Sequence, residues 1–404
     1  MLALTMVMGM SGAAAAAPGP GPGRLDAGLV PSTLDHRCGR DPSACPVDGD
    51  LEGGRSIIGR ALEAPWAGHR NFTMAFTGDL ILHAPVNGAA ARYGRSSDSR
   101  FDFEPMFGPV AGILSEADLA ICHLEVPLSP TSTGLSGYPT FLGPGELAAA
   151  LVAAGYDGCS VASNHSYDRG ATGVANTLTV LDTAGIGWAG MADSAERSHT
   201  RTYDVEGAHV AHLAYTYWLN GFVLPENQQF LVNVIDEEAI LAEAHAARTK
   251  GADVVVVSLH WGTEYRTTPT DYQTELGHRL IASPDIDLIV GHHAHVVQPI
   301  EEVDGEYIVY GLGNFLSNQR TSLRTQDGVI VIVEFERSGG RWMASRIDFL
   351  PTWVEPGSFR ILPADATGRQ NFPAWAQDAL VASWTRTHET MTSMGVGSVT
   401  ADLP

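Results

Sequence analysis

The sequence predicts an α/β protein in which two sheets pack as a sandwich and helices flank them. Strand-like and helix-like segments alternate from residue 71 onward, a rhythm typical of stacked βαβ units. The run Val254-Val255-Val256-Val257 is fully apolar, which indicates a strand buried on both faces. Later stretches have the pattern of hairpins, so we expect antiparallel strands beside the parallel ones.

The first half of the core alternates regularly. Strands are expected at 72–82, 119–126 and 158–162, and helices at 105–115, 145–154 and 171–184. A β-rich stretch follows Trp188, where 203–205 and 210–215 flank Glu206-Gly207-Ala208 as a hairpin.

The alternation then resumes and ends in two hairpins. We expect a helix at 236–250, a strand at 253–259, a helix at 272–282, a strand at 286–290, hairpins of 297–303 with 307–312 and of 329–335 with 342–350, and a helix at 374–385. The predicted organisation is a tail or cap at 1–70, a catalytic domain at 71–355, and a C-terminal helix and tail at 356–404.

The composition and charge of the chain exclude some classes of binding partner. The 404 residues are 44% hydrophobic and 17% charged, as in soluble globular proteins, and the formal net charge is −22. Such a charge repels nucleic acid and anionic membranes. No segment has the roughly 18 consecutive apolar residues of a spanning helix. We therefore expect no nucleic-acid partner and no stable membrane insertion.

The amino terminus leaves two cellular locations open. The segment 1–17 is apolar and rich in alanine, but the first basic residue is Arg24, so it lacks the positively charged start of a signal peptide. This favours a cytoplasmic protein, with export as the alternative.

Four cysteines are too few for a disulfide framework in a chain of this length. Cys38 and Cys45 lie in a loop-like stretch and could pair in an exported protein. Cys122 and Cys159 lie in apolar runs and are expected to be buried thiols, because free cysteine behaves as a small hydrophobic residue.

Five short polar motifs follow the predicted strands. They read Phe76-Thr77-Gly78-Asp79, His123-Leu124-Glu125, Ser163-Asn164-His165, Leu259-His260-Trp261-Gly262-Thr263-Glu264 and Gly291-His292-His293-Ala294-His295. Side chains with oxygen or imidazole groups at the ends of strands are typical of a divalent-metal site in a layered α/β protein.

Each motif also has a simpler interpretation. Asp79 alone could be a turn or helix-capping residue, and Glu125 alone could be a surface charge at a strand end. His260 alone could be a core histidine with a backbone partner. In the cluster 291–295, however, several adjacent buried imidazoles would need separate partners, which favours a ligand set.

Asn164 and His165 follow a buried strand, where an unpartnered amide or imidazole costs about 1–3 kcal/mol. A metal ion or a hydrogen-bond network would satisfy both groups. Asp168 is close enough in sequence to orient the His165 ring, as carboxylates commonly do.

These motifs make the sequence similar to the calcineurin-like metallophosphoesterase superfamily, and specifically to its CapA branch, which is linked to poly-γ-glutamate capsule synthesis. The similarity extends from about residue 72 to residue 335 and rests on Thr77-Gly78-Asp79, Leu124-Glu125-Val126-Pro127, Asn164-His165 with Asp168 and Gly170, His260-Trp261-Gly262 with Glu264, Gly291-His292-His293-Ala294-His295 with Val297 and Gln298, and Tyr310-Gly311-Leu312-Gly313-Asn314-Phe315. The resemblance implies a four-layer α/β/β/α sandwich of two mixed sheets.

The resemblance also implies a divided site. Phosphoesterases of the superfamily hold two metals with an Asp-x-His first motif, but position 81 is Ile, and the second motif has Glu125 without a Gly-Asp pair. One pocket would keep its metal ligands, which are Glu125, Asn164, His260 and His293. The other would keep Asp79 and His295 with Glu125 shared, and His83 is a weak substitute for its missing ligand.

A pocket without metal would leave Asp79 and His295 as a catalytic acid–base pair, and His165 with Asp168 would form a second pair. Two pairs beside a cation suit removal of a proton from carbon and its return on the other face. The resemblance therefore points first to a metal-dependent epimerase of a lasso-type precursor peptide. The alternatives are a CapA-type capsule biosynthesis protein and a metallophosphoesterase.

The expected cofactor is one divalent ion, Ca²⁺ or Mn²⁺ before Zn²⁺ or Fe, and the expected partner is a peptide substrate.

Overall fold

The computed structural model describes residues 71–396. The expectations for the segment 1–70, including its apolar start and the pairing of Cys38 with Cys45, lie outside the described residues. The last residues of the polar tail, 397–404, lie outside them as well.

The described chain alternates strands and helices. The strands are β1 (Asn71–Leu80), β2 (Leu119–Leu124), β3 (Leu128–Ser129), β4 (Gly143–Pro144), β5 (Gly158–Ser160), β6 (Gly187–Ala189), β7 (Arg201–Val205), β8 (Ala208–Thr216), β9 (Val254–His260), β10 (Leu288–His292), β11 (Ile300–Val303), β12 (Glu306–Val309), β13 (Asn314–Leu316), β14 (Asp327–Ser338), β15 (Arg341–Val354) and β16 (Ile361–Pro363). The α-helices are α1 (Ala84–Ser97), α2 (Glu104–Ser115), α3 (Leu147–Ala153), α4 (Gly170–Ala184), α5 (Glu237–Thr249), α6 (Asp271–Ile281), α7 (Ala366–Arg369) and α8 (Ala374–Met391).

Most strands of the described chain form two mixed sheets. The first has the order β16-β15-β14-β1-β2-β5-β6, and β13 pairs with the end of β1. Its strands β1, β2, β5 and β6 are parallel to one another, whereas β14, β15 and β16 are antiparallel. The second sheet has the order β11-β12-β10-β9-β8-β7, with parallel strands in the middle and antiparallel strands at both edges.

Three apolar cores separate four layers. One core lies between the sheets and includes Phe72 and Trp342 of the first sheet and Val256 of the second. A second core packs α1 to α4 on the outer face of the first sheet, and a third packs α5 and α6 on the outer face of the second. The predicted four-layer α/β/β/α sandwich of two mixed sheets is confirmed.

Helix α1 is the main element that the sequence did not predict. It begins directly after His83 with a proline in its first turn, and its buried side chains are mostly small, as in Ala89 and Ala90. Small buried residues give a weak apolar period, so the helix was not recognised. The other predicted strands and helices are present, with shifted ends.

The prediction of free thiols at Cys122 and Cys159 was wrong, because the two residues form a disulfide. They are paired in the register of the parallel strands β2 and β5, with Cα atoms 4.4 Å apart. Pairing between strands 37 residues apart is a tertiary property that apolar runs alone do not reveal.

The C-terminal part of the described chain continues the first sheet. Strand β16 pairs with β15, and Leu380 and Trp384 of α8 pack against Trp353 of β15. Within residues 71–396, no helix is both long and apolar enough to cross a membrane.

Candidate functional site

The five motifs meet at one end of the two sheets. Asp79 lies opposite His123 in the register of β1 and β2, and His292 lies opposite His260 in β10 and β9. A contact between the sheets joins the two pairs, because Nε2 of His123 is 3.0 Å from Nδ1 of His260. The predicted candidates therefore form a single buried cluster.

Gly78 allows the first motif to lie close to the backbone of Gly313. A Cβ atom at Gly78 would lie 2.0 Å from the backbone oxygen of Gly313, a distance that no side chain tolerates. The close approach lets the backbone N–H of Asp79 donate to that oxygen at 2.9 Å. Asp79 is thus fixed, fully buried, at the centre of the cluster.

Asp79 and His295 form a buried ion pair. Nδ1 of His295 is 2.9 Å from Oδ2 of Asp79. Burial by itself would raise the pKa of Asp79, but the nearby His292 and the hydrogen-bonded His295 hold this pKa well below its usual range. Burial opposes the charge of His295 too, yet Glu125 and Asp79 outweigh it and raise the pKa of His295 to about 9. Near pH 7 the pair is therefore ionised.

The backbone of the fifth motif is strained. His293 and His295 have φ angles of 87° and 56°, in the left-handed region, which costs about 1–3 kcal/mol per residue. The side-chain amide of Asn314 donates to the oxygen of His295 at 3.2 Å, and Tyr265 N–H donates to the oxygen of Ala294 at 2.7 Å. These bonds hold a conformation that turns both imidazoles into the cluster.

Glu125 has the surroundings of a cation ligand. It is 1% exposed, and Oε1 lies 3.8 Å from Nε2 of His295. Among the residues that the structure describes, Oε2 finds no hydrogen-bond partner. Burial raises the pKa of Glu125 well above its usual range, and the positive charge of His295 beside it opposes this rise. A bound cation would satisfy the orphaned oxygen and stabilise the ionised carboxylate.

The other three predicted ligands lie together. Nε2 of His260 donates to Oδ1 of Asn164 at 3.0 Å, and the rings of His260 and His293 are 4.7 Å apart. Burial lowers the pKa of His260 well below its usual range and that of His293 to about 3. Both imidazoles are therefore neutral, the state that binds a metal.

The second predicted acid–base pair is also assembled. Nδ1 of His165 lies 2.8 Å from Oδ2 of Asp168, and the same oxygen accepts the backbone N–H of Phe141 at 2.6 Å. The Phe141 ring packs edge-on against the His165 ring at 4.7 Å. The imidazole is thus held through Nδ1, which leaves Nε2 for other chemistry.

Two donor groups in the cluster share Glu125. One consists of His123, Glu125 and His260, the other of Asp79, Glu125 and His295, and within each the ligand atoms lie within 4.8 Å of one another. The first overlaps the predicted metal pocket, and the second is the pocket expected to lack a metal. Carboxylate and imidazole donors with orphaned atoms fit a divalent ion.

Two histidines of the motifs, His123 and His292, lie in the cluster without a role predicted from the sequence. The rings of His123 and His292 stack at 4.0 Å, and Nδ1 of His292 is 3.7 Å from Oδ1 of Asp79. Together with Asp79 they form a third donor group. The signal was present, since His123 precedes Glu125 by two residues and strand periodicity places both on one face.

Three other residues complete the surroundings. Nδ1 of His83 accepts the backbone N–H of Asn318 at 3.2 Å, so this nitrogen is not available as a ligand beside Asp79 and His295. Glu264 is exposed, and its carboxylate forms a donor group with His293 and His295. Asn220, outside every motif, contacts Asn164 and His165.

Comparisons with known proteins place this cluster in a family context. Residues 73–319 match the family model described as "Bacterial capsule synthesis protein PGA_cap". The "PGA biosynthesis protein CapA" of Bacillus subtilis is 35% identical over 194 residues, which are 46% of this chain and 49% of that protein. The "Capsule biosynthesis protein CapA" of Bacillus anthracis is 26% identical over 304 residues, 72% of this chain and 69% of that protein. The chain thus spans about half the length of the first relative and about two thirds of the second.

Solved structures show only remote likeness. The calcineurin-like phosphoesterase YfkN of Bacillus subtilis aligns with a TM-score of 0.41 at 12% identity, covering 80% of this chain and 97% of that one. The NAD nucleotidase of Haemophilus influenzae aligns with a TM-score of 0.43 at 10% identity, covering 83% and 65%. The family model, by contrast, covers more than half of the chain and includes all five motifs. The chain therefore belongs to the bacterial capsule synthesis protein PGA_cap family.

Proposed function

We propose that the protein is a metal-dependent enzyme that acts on an amide-linked polymer of the poly-γ-glutamate type, at the cluster around Glu125. The observation that carries the proposal is that every site candidate, from Asp79 to His295, lies inside the stretch 73–319 that matches the family. A structural role alone does not account for buried carboxylate and imidazole atoms that lack partners among the described residues.

The metal would be held by four side chains, which are Glu125, Asn164, His260 and His293. A divalent ion bound there would supply Lewis-acid polarisation of a substrate carbonyl. Mixed carboxylate, amide and imidazole donors suit Mn²⁺, Zn²⁺ or Fe²⁺ better than Ca²⁺, which prefers oxygen ligands. Mn²⁺ is therefore the first ion to test.

The proton transfers would fall to two imidazoles. Asp79 orients His295, and Asp168 orients His165, through the Nδ1 contacts described above. Either ring then has Nε2 for the exchange of a proton with substrate. In cleavage or transfer of an amide bond, His165 would take a proton from the attacking group and His295, already protonated, would give one to the leaving nitrogen.

Charge is the main obstacle to a polyanionic substrate. The net charge of −22 repels it, so compensation must be local. Arg266 is exposed and follows Tyr265, whose ring lies 6.1 Å from that of His295. Arg320 is exposed and follows Gln319, which is hydrogen-bonded to Asn314 near the same motif. With the bound cation, these two guanidinium groups would attract the carboxylates of the polymer.

The test follows polymer length and isotope content together. Purified protein is incubated with poly-γ-glutamate and Mn²⁺ in heavy water, and chain length is followed by gel electrophoresis. We expect a Mn²⁺-dependent change in length that His165→Gln removes. Unchanged polymer with Mn²⁺, Zn²⁺ and Ca²⁺ alike would contradict the proposal.

Peptide epimerisation is a second candidate. The names of the relatives point to capsule synthesis and give no support to a lasso-type precursor peptide. The two imidazole–carboxylate pairs nevertheless suit removal and return of a Cα proton. Deuterium at the α-carbon of a peptide or of the polymer, without a change in chain length, would favour this reaction. Metal-dependent hydrolysis of p-nitrophenyl phosphate would instead favour a phosphoesterase.

We also propose that the protein works in an oxidising compartment, the exported alternative. The support is the buried disulfide between Cys122 and Cys159, since disulfides persist mainly in exported proteins. Peptide mapping after alkylation without reduction should recover the two cysteines as one linked peptide. Alkylation of both residues in protein isolated from its native source would contradict this location.

A further inference from the structure

The segment 217–224, which follows β8, reaches the site although none of the five motifs includes it. Leu219 and Leu224 are buried and anchor it on the second core, which packs α1 to α4 on the first sheet. Between them Asn220 and Gly221 have φ angles of 50° and 85°, so the backbone turns in the left-handed region. This turn directs the Asn220 side chain towards the cluster.

Asn220 contacts both halves of the site. Its Oδ1 accepts Nδ2 of Asn164 at 3.3 Å. Its own Nδ2 lies 3.3 Å from Nδ1 and 3.5 Å from Nε2 of His165. Because Nδ1 of His165 donates to Asp168, only Nε2 can accept from Asn220, and at 3.5 Å this contact is weak enough for a substrate to replace it.

We propose that Asn220 is a positioning residue that sets the orientation of the Asn164 amide and holds the His165 ring beside it. This inference rests on the proposed function, in which Asn164 binds the metal. An amide has a donor end and an acceptor end. Because Nδ2 of Asn164 donates to Asn220, Oδ1 of Asn164 must face His260, whose Nε2 lies 3.0 Å away. Partners of this kind orient metal ligands and strengthen metal binding.

The test measures Mn²⁺ binding in the absence of substrate. Glycine is the appropriate replacement, because it removes the side chain and accepts the positive φ without strain. We expect Asn220→Gly to bind Mn²⁺ about tenfold to a hundredfold more weakly than the wild type, measured by electron paramagnetic resonance of the free ion. Asn220→Asp, which keeps the acceptor oxygen, should bind Mn²⁺ far better than the glycine variant.

Asn227→Ala is the matched control, since Asn227 is an exposed asparagine shortly after the same segment. It should bind Mn²⁺ as the wild type does, and the melting temperatures of all variants report on folding. Wild-type affinity in Asn220→Gly would overturn the role of Asn220 and leave the proposed function intact. A wild-type protein that binds no Mn²⁺, Zn²⁺ or Ca²⁺ would overturn both. If the glycine variant does not fold, Asn220→Ser replaces it. Mn²⁺ binding by Asn220→Ser that is about tenfold to a hundredfold weaker than that of the wild type supports the role, and unchanged binding overturns it.

Discussion

His293 and His295 are two residues apart, yet their surroundings give them opposite charge states. Burial lowers the pKa of His293 to about 3, which keeps it neutral. Burial acts on His295 as well, but Glu125 and Asp79 outweigh it and raise the pKa of His295 to about 9. A neutral imidazole can bind a metal, whereas a protonated imidazole can donate a proton. The two residues therefore suit different roles.

A pair of variants tests this division. His293→Gly should abolish most metal binding, because a ligand is lost. His295→Gly should retain the metal and lose catalysis, because it removes the acid of the Asp79 pair. Glycine is used at both positions since both φ angles are positive. Metal content is measured by elemental analysis after dialysis, and activity by the change in polymer length.

Each variant serves as the control of the other, because both remove one imidazole from the same strained segment. A loss of metal from His295→Gly as large as that from His293→Gly would mean that His295 is itself a metal ligand, as in the group of Asp79, Glu125 and His295. The distinction between ligand and acid would then be wrong.

Local sequence was enough to predict most residues of the cluster. Asp79, Asn164 and His260 each follow an apolar run, and strand ends at the same end of the two packed sheets bring such residues together. Asn220 was missed because its role depends on a loop that returns to the cluster from another strand. The Asn220-Gly221 pair indicates a turn, but no local pattern tells where that turn lies in space.

At the scale of elements, the predictions succeeded where burial leaves a strong local signal. The valines of β9 are all buried, as their apolar run indicates. The contact of β2 with β5 has no such signal, and for this reason the disulfide between Cys122 and Cys159 was not predicted.

Removing this disulfide should destabilise the fold. For the loop of 37 residues that it closes, the chain-entropy model gives about 4 kcal/mol. We expect Cys122→Ala/Cys159→Ala to lower the free energy of unfolding by an amount of that order, measured by urea denaturation. The site should also loosen, because the next residues, His123 and Ser160, share a hydrogen bond of 2.7 Å.

The control for this prediction is the reduced wild-type protein. Its free energy of unfolding should approach that of the double alanine variant, since both lack the covalent link. If the reduced protein keeps the stability of the oxidised one, the side chains contribute by packing rather than by the bond. The entropic account would then fail.

At the scale of the whole molecule, an ion cluster joins the two sheets at the end away from the site. Asp287, just before β10, is fully buried and paired with Arg248 of α5. Arg341 is the first residue of β15 in the other sheet. Its Nη2 lies 3.3 Å from Oδ1 of Asp287 and 3.5 Å from Oε1 of Glu306 in β12. The alternation of elements predicted two sheets but not this contact, because it depends on how the sheets pack.

Glu306 should make the stability of the molecule depend on pH. Burial and the charge of Asp287 raise its pKa from 4.5 to about 7, against the opposing effect of Arg341. A raised carboxyl pKa stabilises the fold at low pH, and this stability is lost as pH rises through the folded-state pKa. Between about pH 5 and pH 8 the melting temperature of the wild type should therefore fall relative to that of Glu306→Gln, which cannot titrate. The exposed Glu302 of β11 provides the matched control, and Glu302→Gln should follow the wild-type curve. Parallel curves for the wild type and Glu306→Gln would show that Glu306 is already ionised at pH 5, and that the two arginines outweigh burial.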